Sequence, residues 1–371
     1  MAYSIGTSNQ DYGVGVLIGA VGRISGAIAH FSHRVAQRSP VGSQILRQPE
    51  QGYVDAAGKH LTSRECNITT YNGRIWKVTE PGDQLCPFVA KATFKSGSNR
   101  RSQDDFTDAQ RLLLREASIH QVLEHENIVP FIGSFKHSDE GFIMLQSLMA
   151  GDLSNLLSLQ ANNRLSLGQL SEVGRQVSQG LQYLHEKVKL MHGDLHDGNV
   201  LYETDQSGCL FFKLMDFSES RHIGEKGRML QRYYLPPEVA ACWKEIFPEM
   251  ARPKSKPVAD AAIDSWSFAA MIIRLLFANV IKHDQAGQIG RDQSWIGVLA
   301  KNTACSGKLE REVDRVVVSL TDSGDADYPG QKCEVKELLL KITQCLHLSS
   351  KERASSTELV GYFTSLSRGS P

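Results

Sequence analysis

The sequence lacks an excess of charge of either sign, because its 41 lysines and arginines balance 41 aspartates and glutamates over 371 residues. A chain with near-zero net charge exerts no long-range attraction on phosphate backbones. It also lacks a basic stripe with interleaved aromatic residues, which is the usual footprint of nucleic-acid binding. The sequence therefore predicts a protein without a nucleic-acid partner.

Paired cysteine spacing is absent as well. The 7 cysteines are odd in number and scattered, and no Cys-x-x-Cys occurs. This pattern favours reduced thiols over disulfides and gives no sign of a structural zinc site. Together with an ordinary aromatic content and a length that suits one domain plus an extension, it predicts a globular, cytoplasmic protein.

No apolar run is long enough to span a bilayer. The nearest candidate, GVGVLIGAVGRISGAIAHF at residues 13–31, is interrupted by Arg23, whereas a span needs about 20 predominantly apolar residues. No acidic residue occurs from Tyr12 to Pro49, a composition that is also typical of mitochondrial transit segments. Three interpretations of residues 1–64 stay open: a disordered or loosely docked tail, a membrane-surface helix, and an organellar targeting segment.

The most informative segment of the chain is HGDLHDGNVLYETDQSGCLFFKLMD at residues 192–216. Two short apolar runs, 200–202 and 210–214, are split by a Ser-Gly turn signal, and this pattern predicts a β-hairpin. The hairpin brings Asn199, before its first strand, next to Asp216, after its second strand. Both side chains offer the hard oxygen ligands that Mg²⁺ prefers. The segment therefore predicts a magnesium site at Asn199 and Asp216.

A third polar residue, Asp194, lies on the turn that precedes the hairpin. A carboxylate at this point can accept the proton of an attacking hydroxyl while a metal ion neutralises charge on the transferring phosphate. This division of labour indicates metal-assisted phosphoryl transfer.

These residues resemble the eukaryotic protein-kinase-like superfamily. The catalytic loop of that family, His-Arg-Asp-x-x-x-x-Asn, is matched by His192, Gly193, Asp194 and Asn199. Its metal-binding Asp-Phe-Gly is matched by Asp216, Phe217 and Ser218. The sequence of these motifs is also similar to that of tyrosine-kinase-like families expanded in some fungi. The resemblance implies ATP and Mg²⁺ as cofactors and Asp194 as the catalytic base.

The resemblance continues upstream and downstream of this loop. Phe88 to Lys91 looks like the family strand Val-Ala-Ile-Lys, and Glu116 has the spacing of the family's helix glutamate. A Lys91–Glu116 ion pair is therefore implied, which would hold the ammonium against the α and β phosphates of ATP. Downstream, the resemblance implies an anchoring ion pair between Glu238 and Arg353 and a helix that begins at Asp264 and supports the catalytic loop.

The resemblance also implies a nucleotide pocket. Its expected residues are Gly73, Ile75, Val89, Lys91, Ser147, Met149, Leu201, Asn199 and Asp216. The family's glycine-rich loop is reduced to residues 68–75, where Gly73 alone survives. Val89 replaces the small alanine that usually covers the adenine. We therefore expect a tighter pocket and a lower affinity for ATP than is usual in the family.

Two further departures concern regulation and substrate. Gly193 replaces the arginine that clasps an activation-loop phosphate in many relatives, and residues 221–238 contain no serine or threonine. We therefore expect activity that is independent of activation-loop phosphorylation. His196 occupies the position where serine/threonine kinases usually have a lysine. The motif His-Gly-Asp-Leu-His-x-Gly-Asn also occurs in aminoglycoside and choline kinases, so the class of substrate is left open.

The implied fold class is α+β, with the two-lobed architecture of protein kinases. Residues 1–64 form an extension, and residues 65–365 form the kinase-like domain. Within that domain, the small β-rich lobe is expected at 65–146 and the larger helical lobe at 150–365. The implied function is ATP-dependent transfer of the γ-phosphate to a hydroxyl of a protein substrate, Ser/Thr rather than Tyr. A pseudokinase scaffold and a small-molecule phosphotransferase stay open as alternatives.

Overall fold

The structure is a computed structural model. It describes residues 46–48, 52–54, 60–70, 73–79, 88–94, 103–137, 141–160, 164–227, 234–240, 257–277, 299–301, 303, 306–321 and 328–369. The candidate membrane or targeting segment at 13–31 lies outside these residues. The chain divides into two compact units, residues 1–123 with 130–148 and residues 124–129 with 149–371.

The first unit contains an antiparallel sheet of seven strands in the order β1-β2-β3-β4-β5-β7-β6. The strands are β1 (Leu46–Gln48), β2 (Gly52–Val54), β3 (His60–Thr70), β4 (Gly73–Thr79), β5 (Phe88–Phe94), β6 (Phe131–His137) and β7 (Gly141–Ser147). The sheet starts well before residue 65, so the domain boundary drawn from the sequence falls inside β3. Strand β5 lies between β4 and β7, and its residues Ala90 to Thr93 are all buried.

One helix, α1 (Gln103–His120), packs against β5 and β7 of this sheet. Leu113 and Ala117 lie one turn apart on α1 and are buried against Met144 of β7. Leu114 and Phe131 close the edge of this small cluster. This packing fixes the rotation of α1 about its own axis. It therefore also fixes the directions in which the side chains between Leu113 and Ala117 point.

The second unit is mainly helical. Its helices are α2 (Leu153–Leu159), α3 (Leu167–Gln182), α4 (Ala261–Leu276), α5 (Ser306–Thr321), α6 (Lys332–Thr343) and α7 (Ser356–Gly369). Its short strands are β8 (Gly151–Asp152), β9 (Leu190–Met191), β10 (Val200–Thr204), β11 (Leu210–Leu214) and β12 (Arg221–His222). A π-helical turn (Tyr183–Val188) follows α3, and single 3₁₀ turns occupy Asp197–Asn199, Gln344–Leu346 and Ser350–Glu352.

The core of the second unit is helix α4. It is apolar almost all round and nearly every one of its residues is buried, as is typical of a helix in the interior of a large domain. Asp260 caps its first turn by accepting a hydrogen bond from the backbone N–H of Ala262 at 3.0 Å. Among the helices in the described ranges, none has both the length and the hydrophobicity required to cross a membrane.

The predicted hairpin is present as β10 and β11, whose register pairs Val200 with Leu214 and Thr204 with Leu210. Its tip is stabilised by Asp205, whose Oδ1 accepts hydrogen bonds from the backbone N–H groups of Ser207 at 2.9 Å and Cys209 at 2.8 Å. Such local bonds are the reason that aspartate is favoured in tight turns. The register places the residues on either side of the hairpin next to each other.

The anchoring ion pair implied by the sequence is also present. The guanidinium of Arg353 donates two hydrogen bonds to the carboxylate of Glu238, at 2.6 Å and 2.7 Å. It also donates to the backbone oxygens of Ala262 at 3.0 Å and His347 at 2.8 Å. The Arg353 side chain is fully buried, and its guanidinium carbon lies 5.0 Å from the centre of the Trp266 ring. One cation thus joins three segments that are far apart in sequence.

Replacement of Glu238 by glutamine should destabilise the second unit. The change leaves a buried guanidinium without its counter-charge, and removal of one partner from a buried pair costs about 3–5 kcal/mol. Since Glu238 itself is 37% exposed, we expect the free energy of unfolding to decrease by about 3 kcal/mol, at the lower end of this range, as measured by urea denaturation.

The matched control is Glu312→Gln, which breaks the exposed Arg315–Glu312 pair of 2.9 Å. Exposed pairs contribute about 0–1 kcal/mol. Equal losses in the two variants would contradict the anchoring role of Glu238.

Candidate active site

The first group of predicted site residues lies in the first unit. Lys91, on β5, and Glu116, on α1, form an ion pair with 2.7 Å between Nζ and Oε2. Their side chains are only 5% and 1% exposed. Two charges so far from water require each other, because an isolated buried charge is strongly disfavoured. The pair therefore fixes the ammonium group of Lys91 in one position.

The residues expected around the nucleotide in this unit lie on adjacent strands. The register of β4 and β5 pairs Ile75 with Lys91, and Gly73 begins β4. Val89 is two residues from Lys91 on β5 and is paired with Gln146 on β7. The side chains of Val89, Lys91 and Gln146 therefore lie on the same face of the sheet. Ser147 ends β7, and its backbone N–H donates to the oxygen of Pro130 at 3.0 Å.

The second group lies in the second unit, and a buried carboxylate, Asp264, holds its backbone. Asp264, in the first turn of α4, accepts hydrogen bonds from the N–H groups of His192 at 2.7 Å and Gly193 at 2.9 Å. Its third partner is His185, whose Nε2 lies at 2.8 Å. Burial disfavours the charged form of Asp264, but the hydrogen bonds to His185 and Gly193 outweigh it and lower the pKa of the carboxyl. The carboxylate therefore stays ionised and fixes the start of the loop.

His192 connects this loop to the segment that follows the hairpin. Its Nε2–H donates to the backbone oxygen of Met215 at 3.0 Å, and its Nδ1 accepts from the N–H of Asp194 at 3.3 Å. A neutral imidazole alone can do both. Burial lowers the pKa of His192, which favours this neutral form. The ring of His192 also packs 5.4 Å from that of Phe217, between centroids.

Gly193 adopts a backbone conformation with φ of 83°, which side chains of L-residues disfavour. A Cβ atom at this position would also lie 2.7 Å from the backbone oxygen of Glu219. In this chain the loop would therefore have to shift to accept a side chain at position 193, for two separate reasons.

The three residues expected to carry the chemistry converge at the hairpin base. The amide nitrogen of Asn199 donates to the backbone oxygen of Asp194 at 2.8 Å and to its Oδ2 at 3.4 Å. The N–H of Met215, next to Asp216, donates to the backbone oxygen of Asn199 at 3.0 Å. Asp216 has a left-handed backbone with φ of 61°, and its Oδ1 accepts from the N–H of Ser218 at 3.2 Å.

The donor chemistry of this group fits a magnesium ion. Because the amide nitrogen of Asn199 is committed to Asp194, the amide oxygen is the atom that can bind a cation. With the carboxylate of Asp216 it offers the hard oxygens that Mg²⁺ prefers alongside phosphate oxygens and water. Within the described ranges, no cluster of three or more His, Cys, Asp or Glu side chains could hold a metal ion.

Three other residues named from the sequence also lie in this unit. His196 accepts from the N–H of Gly198 at 3.0 Å through Nδ1, and its Nε2 lies 3.8 Å from Oδ2 of Asp194. Desolvation lowers the pKa of His196. Met149 is buried and precedes β8, whose pairing with β10 sets Leu201 opposite Asp152. Met149 and Leu201 are thus on neighbouring segments of one small sheet.

Sequence reasoning missed one residue of the loop, Asp197. Its carboxylate is buried and makes an ion pair of 3.1 Å with Arg274 of α4. Two signals could have identified it: a second acid between Asp194 and Asn199, and a single arginine near the end of the mostly apolar helix α4. The two signals are 77 residues apart, and nothing in the sequence connects them.

The steric role of Gly193 predicts a difference between two glycine variants. Gly208, at the hairpin tip, has φ of 85°, but a Cβ there would have nothing within 4 Å. Gly208→Ala should lose about 1 kcal/mol of unfolding free energy, from backbone strain alone. Gly193→Ala should lose about 2–4 kcal/mol, since the contact with Glu219 is added to the same strain. Urea denaturation of both variants measures the difference, and equal losses would show that the contact does not constrain the loop.

Comparison with known proteins identifies relatives of the chain. A family model described as a protein kinase domain matches residues 83–362. The chain is 22% identical to the serine/threonine-protein kinase ste20 of Aspergillus fumigatus over 271 residues, and this alignment covers 67% of the chain and 30% of the relative. It is 29% identical to the serine/threonine-protein kinase STE20 of Candida glabrata over 242 residues, an alignment that covers 59% of the chain and 24% of the relative. It is also 29% identical to the serine/threonine-protein kinase TOUSLED of Arabidopsis thaliana over 218 residues, an alignment that covers 55% of the chain and 28% of the relative. The chain thus spans less than a third of the length of each of these relatives.

Proposed function

The chain belongs to the protein kinase domain family, and we propose that it transfers the γ-phosphate of ATP to serine or threonine hydroxyls of a protein substrate. The observation that carries this proposal is the convergence of Asp194, Asn199 and Asp216 at the base of one hairpin. The relatives support the choice of acceptor, because their names describe serine/threonine-protein kinases.

In this proposal Asp194 is the catalytic base. Its carboxylate accepts a hydrogen bond of 3.4 Å from the amide of Asn199, which orients it toward the hydroxyl whose proton it accepts. Lys91, held by Glu116, contributes a fixed positive charge to the binding of the α and β phosphates. Asn199 and Asp216 would hold Mg²⁺ together with ATP, and the ion would supply positive charge that neutralises the phosphates.

The remaining nucleotide contacts are proposed for Gly73, Ile75, Val89, Ser147, Met149 and Leu201. Apolar side chains and the backbone around Ser147 and Met149 would hold the adenine, as in other mostly apolar cofactor sites. The single surviving glycine of the loop and the size of Val89 support weaker ATP binding than is usual in the family. We further propose that residues 65–365 contain the catalytic residues of a cytoplasmic enzyme and that residues 1–64 form an extension, whose strands at 46–48, 52–54 and 60–64 continue the sheet.

Two other functions compete with this proposal. A pseudokinase scaffold is favoured by the eroded glycine loop, in which Gly73 alone remains. A small-molecule phosphotransferase is favoured by the motif His-Gly-Asp-Leu-His-x-Gly-Asn, which includes His196 and also occurs in aminoglycoside and choline kinases. The Glu238–Arg353 pair and the names of the relatives both favour a protein substrate over a small molecule.

Substitution of Asp194 separates the enzyme from the scaffold. Asp194→Asn keeps the shape of the side chain but cannot accept a proton, and we expect the kcat for phosphate transfer to fall by about 10²–10⁴-fold. The assay follows transfer from radiolabelled Mg²⁺-ATP to casein and to myelin basic protein, with identification of the phosphorylated amino acid.

Asp205→Asn is the matched control, because it makes the same change at the hairpin tip and retains the Oδ1 acceptor of that turn. It should behave as wild type. Equal background transfer of phosphate by wild type and Asp194→Asn would exclude the kinase activity and support the pseudokinase scaffold. Transfer to aminoglycosides or choline, but to neither protein, would favour the small-molecule enzyme.

A further inference from the structure

Asp197 lies inside the candidate catalytic loop, between Asp194 and Asn199, and contacts side chains from three other segments. Its Oδ1 accepts hydrogen bonds from Nη1 of Arg274 at 3.1 Å and from the hydroxyl of Tyr234 at 3.4 Å. Its Oδ2 accepts from the hydroxyl of Ser154, on α2. The residue is 5% exposed, so these three partners together satisfy a carboxylate that is almost entirely removed from water.

Tyr234 is the member of this group that precedes the Glu238 anchor. Nη1 of Arg274 also donates to its hydroxyl oxygen, at 3.1 Å, so Asp197, Arg274 and Tyr234 form a closed ring of three hydrogen bonds. Burial raises the pKa of the Tyr234 phenol, and the phenol therefore keeps the proton that it donates to Asp197. Its backbone oxygen accepts from the hydroxyl of Ser267 on α4, at 3.3 Å.

The backbone of Tyr234 is strained. Its φ of 53° lies in the left-handed region, which is unfavourable for a bulky residue and persists only where surrounding contacts impose it. Here those contacts come from α4, which bonds the Tyr234 carbonyl through Ser267 and its hydroxyl through Arg274. Strain of this kind at a non-glycine residue is typical of sites where geometry matters for function.

Helix α4 therefore holds the loop at two points. Asp264, in its first turn, binds the backbone of His192 and Gly193, and Arg274, in its last turn, binds the side chain of Asp197. Ten residues of helix separate the two, a rise of about 15 Å. Because α4 is buried along its whole length, both attachment points belong to one rigid element.

Stability alone does not account for a buried ion pair at this position. Well-packed apolar residues of similar volume are often as stabilising, since the desolvation of two charges offsets their attraction. The ring of hydrogen bonds does fix the geometry of the three segments, because all of its bonds can form in only one arrangement of them. It also occurs in a chain whose Gly193 cannot clasp a phosphate and whose residues 221–238 lack serine and threonine.

We propose that Asp197, Arg274 and Tyr234 form a latch that positions the catalytic loop against the segment leading to Glu238 without any phosphate on that segment. Asp197 and Tyr234 are positioning residues in this proposal, and they act through Asp194 and through the binding of the protein acceptor. The inference rests on the proposed kinase function and specifies how that activity is kept permanently ready.

Steady-state kinetics of Tyr234→Phe and Asp197→Asn test the latch, with casein as acceptor. Each variant should lower kcat/KM for casein by about tenfold, because one or more directional hydrogen bonds are lost, while the KM for ATP stays within about twofold of wild type. In the double variant the loss should not exceed that of the larger single one, since both changes open the same ring. Phosphatase treatment of wild type should leave its activity unchanged.

Tyr328→Phe is the matched control. Tyr328 is buried, and its hydroxyl donates to the backbone oxygen of Leu165 at 3.1 Å, away from the loop. The control should lose a comparable amount of stability and retain wild-type kinetics. Wild-type kcat/KM in both latch variants, an equal kinetic loss in Tyr328→Phe, or a large loss of activity on dephosphorylation would overturn the latch while the proposed function stands.

If wild type transfers no phosphate, the proposed function fails, and hydrogen exchange then tests the latch by itself. Backbone amides at 234–240 should exchange faster in Tyr234→Phe and Asp197→Asn than in wild type, and at the wild-type rate in Tyr328→Phe. Unchanged exchange in both latch variants would show that the ring does not hold this segment.

Discussion

The candidate site depends on one buried carboxylate, that of Asp264. An ionised group with no exposure to water persists only when hydrogen bonds replace its hydration, and Asp264 accepts three of them, from His185 and two backbone N–H groups. Helix α4 is buried on all sides, so the carboxylate itself cannot move. The backbone of His192 and Gly193 is therefore fixed before any ligand is bound, and Asp194 follows directly after it.

A chain of hydrogen bonds runs from this point to the proposed magnesium ligands Asn199 and Asp216. The neutral ring of His192 bonds both Asp194 and Met215, the backbone of Met215 bonds Asn199, and the hairpin register sets the distance between them. None of these contacts involves a nucleotide or a metal ion. The loop is thus preorganised by its own hydrogen bonds, which is the condition under which electrostatic stabilisation of a reacting phosphate is most effective.

The order of short motifs predicted much of this arrangement. The hairpin follows from local turn chemistry, and the Lys91–Glu116 and Glu238–Arg353 pairs were implied by residues in family order. The strands at Leu46–Gln48 and Gly52–Val54 were not expected, because each has three residues, too few to show an alternating apolar pattern. Asp197 was missed for a different reason: the partner that gives it a role is an arginine on a helix 77 residues away.

Three of the buried or partly buried ion pairs in the described part of the chain share a property that bears on why they are retained. Lys91–Glu116, Asp197–Arg274 and Glu238–Arg353 each join segments that are 25 to 115 residues apart. Pairs of this kind add little net stability, because desolvation cancels most of their attraction, but each is satisfied in one geometry only. An apolar core of the same volume could pack in several ways at similar free energy. The charges therefore select one arrangement of segments that an apolar core would leave degenerate, and phosphoryl transfer requires that single arrangement, because its rate depends on the positions of a few fixed charges.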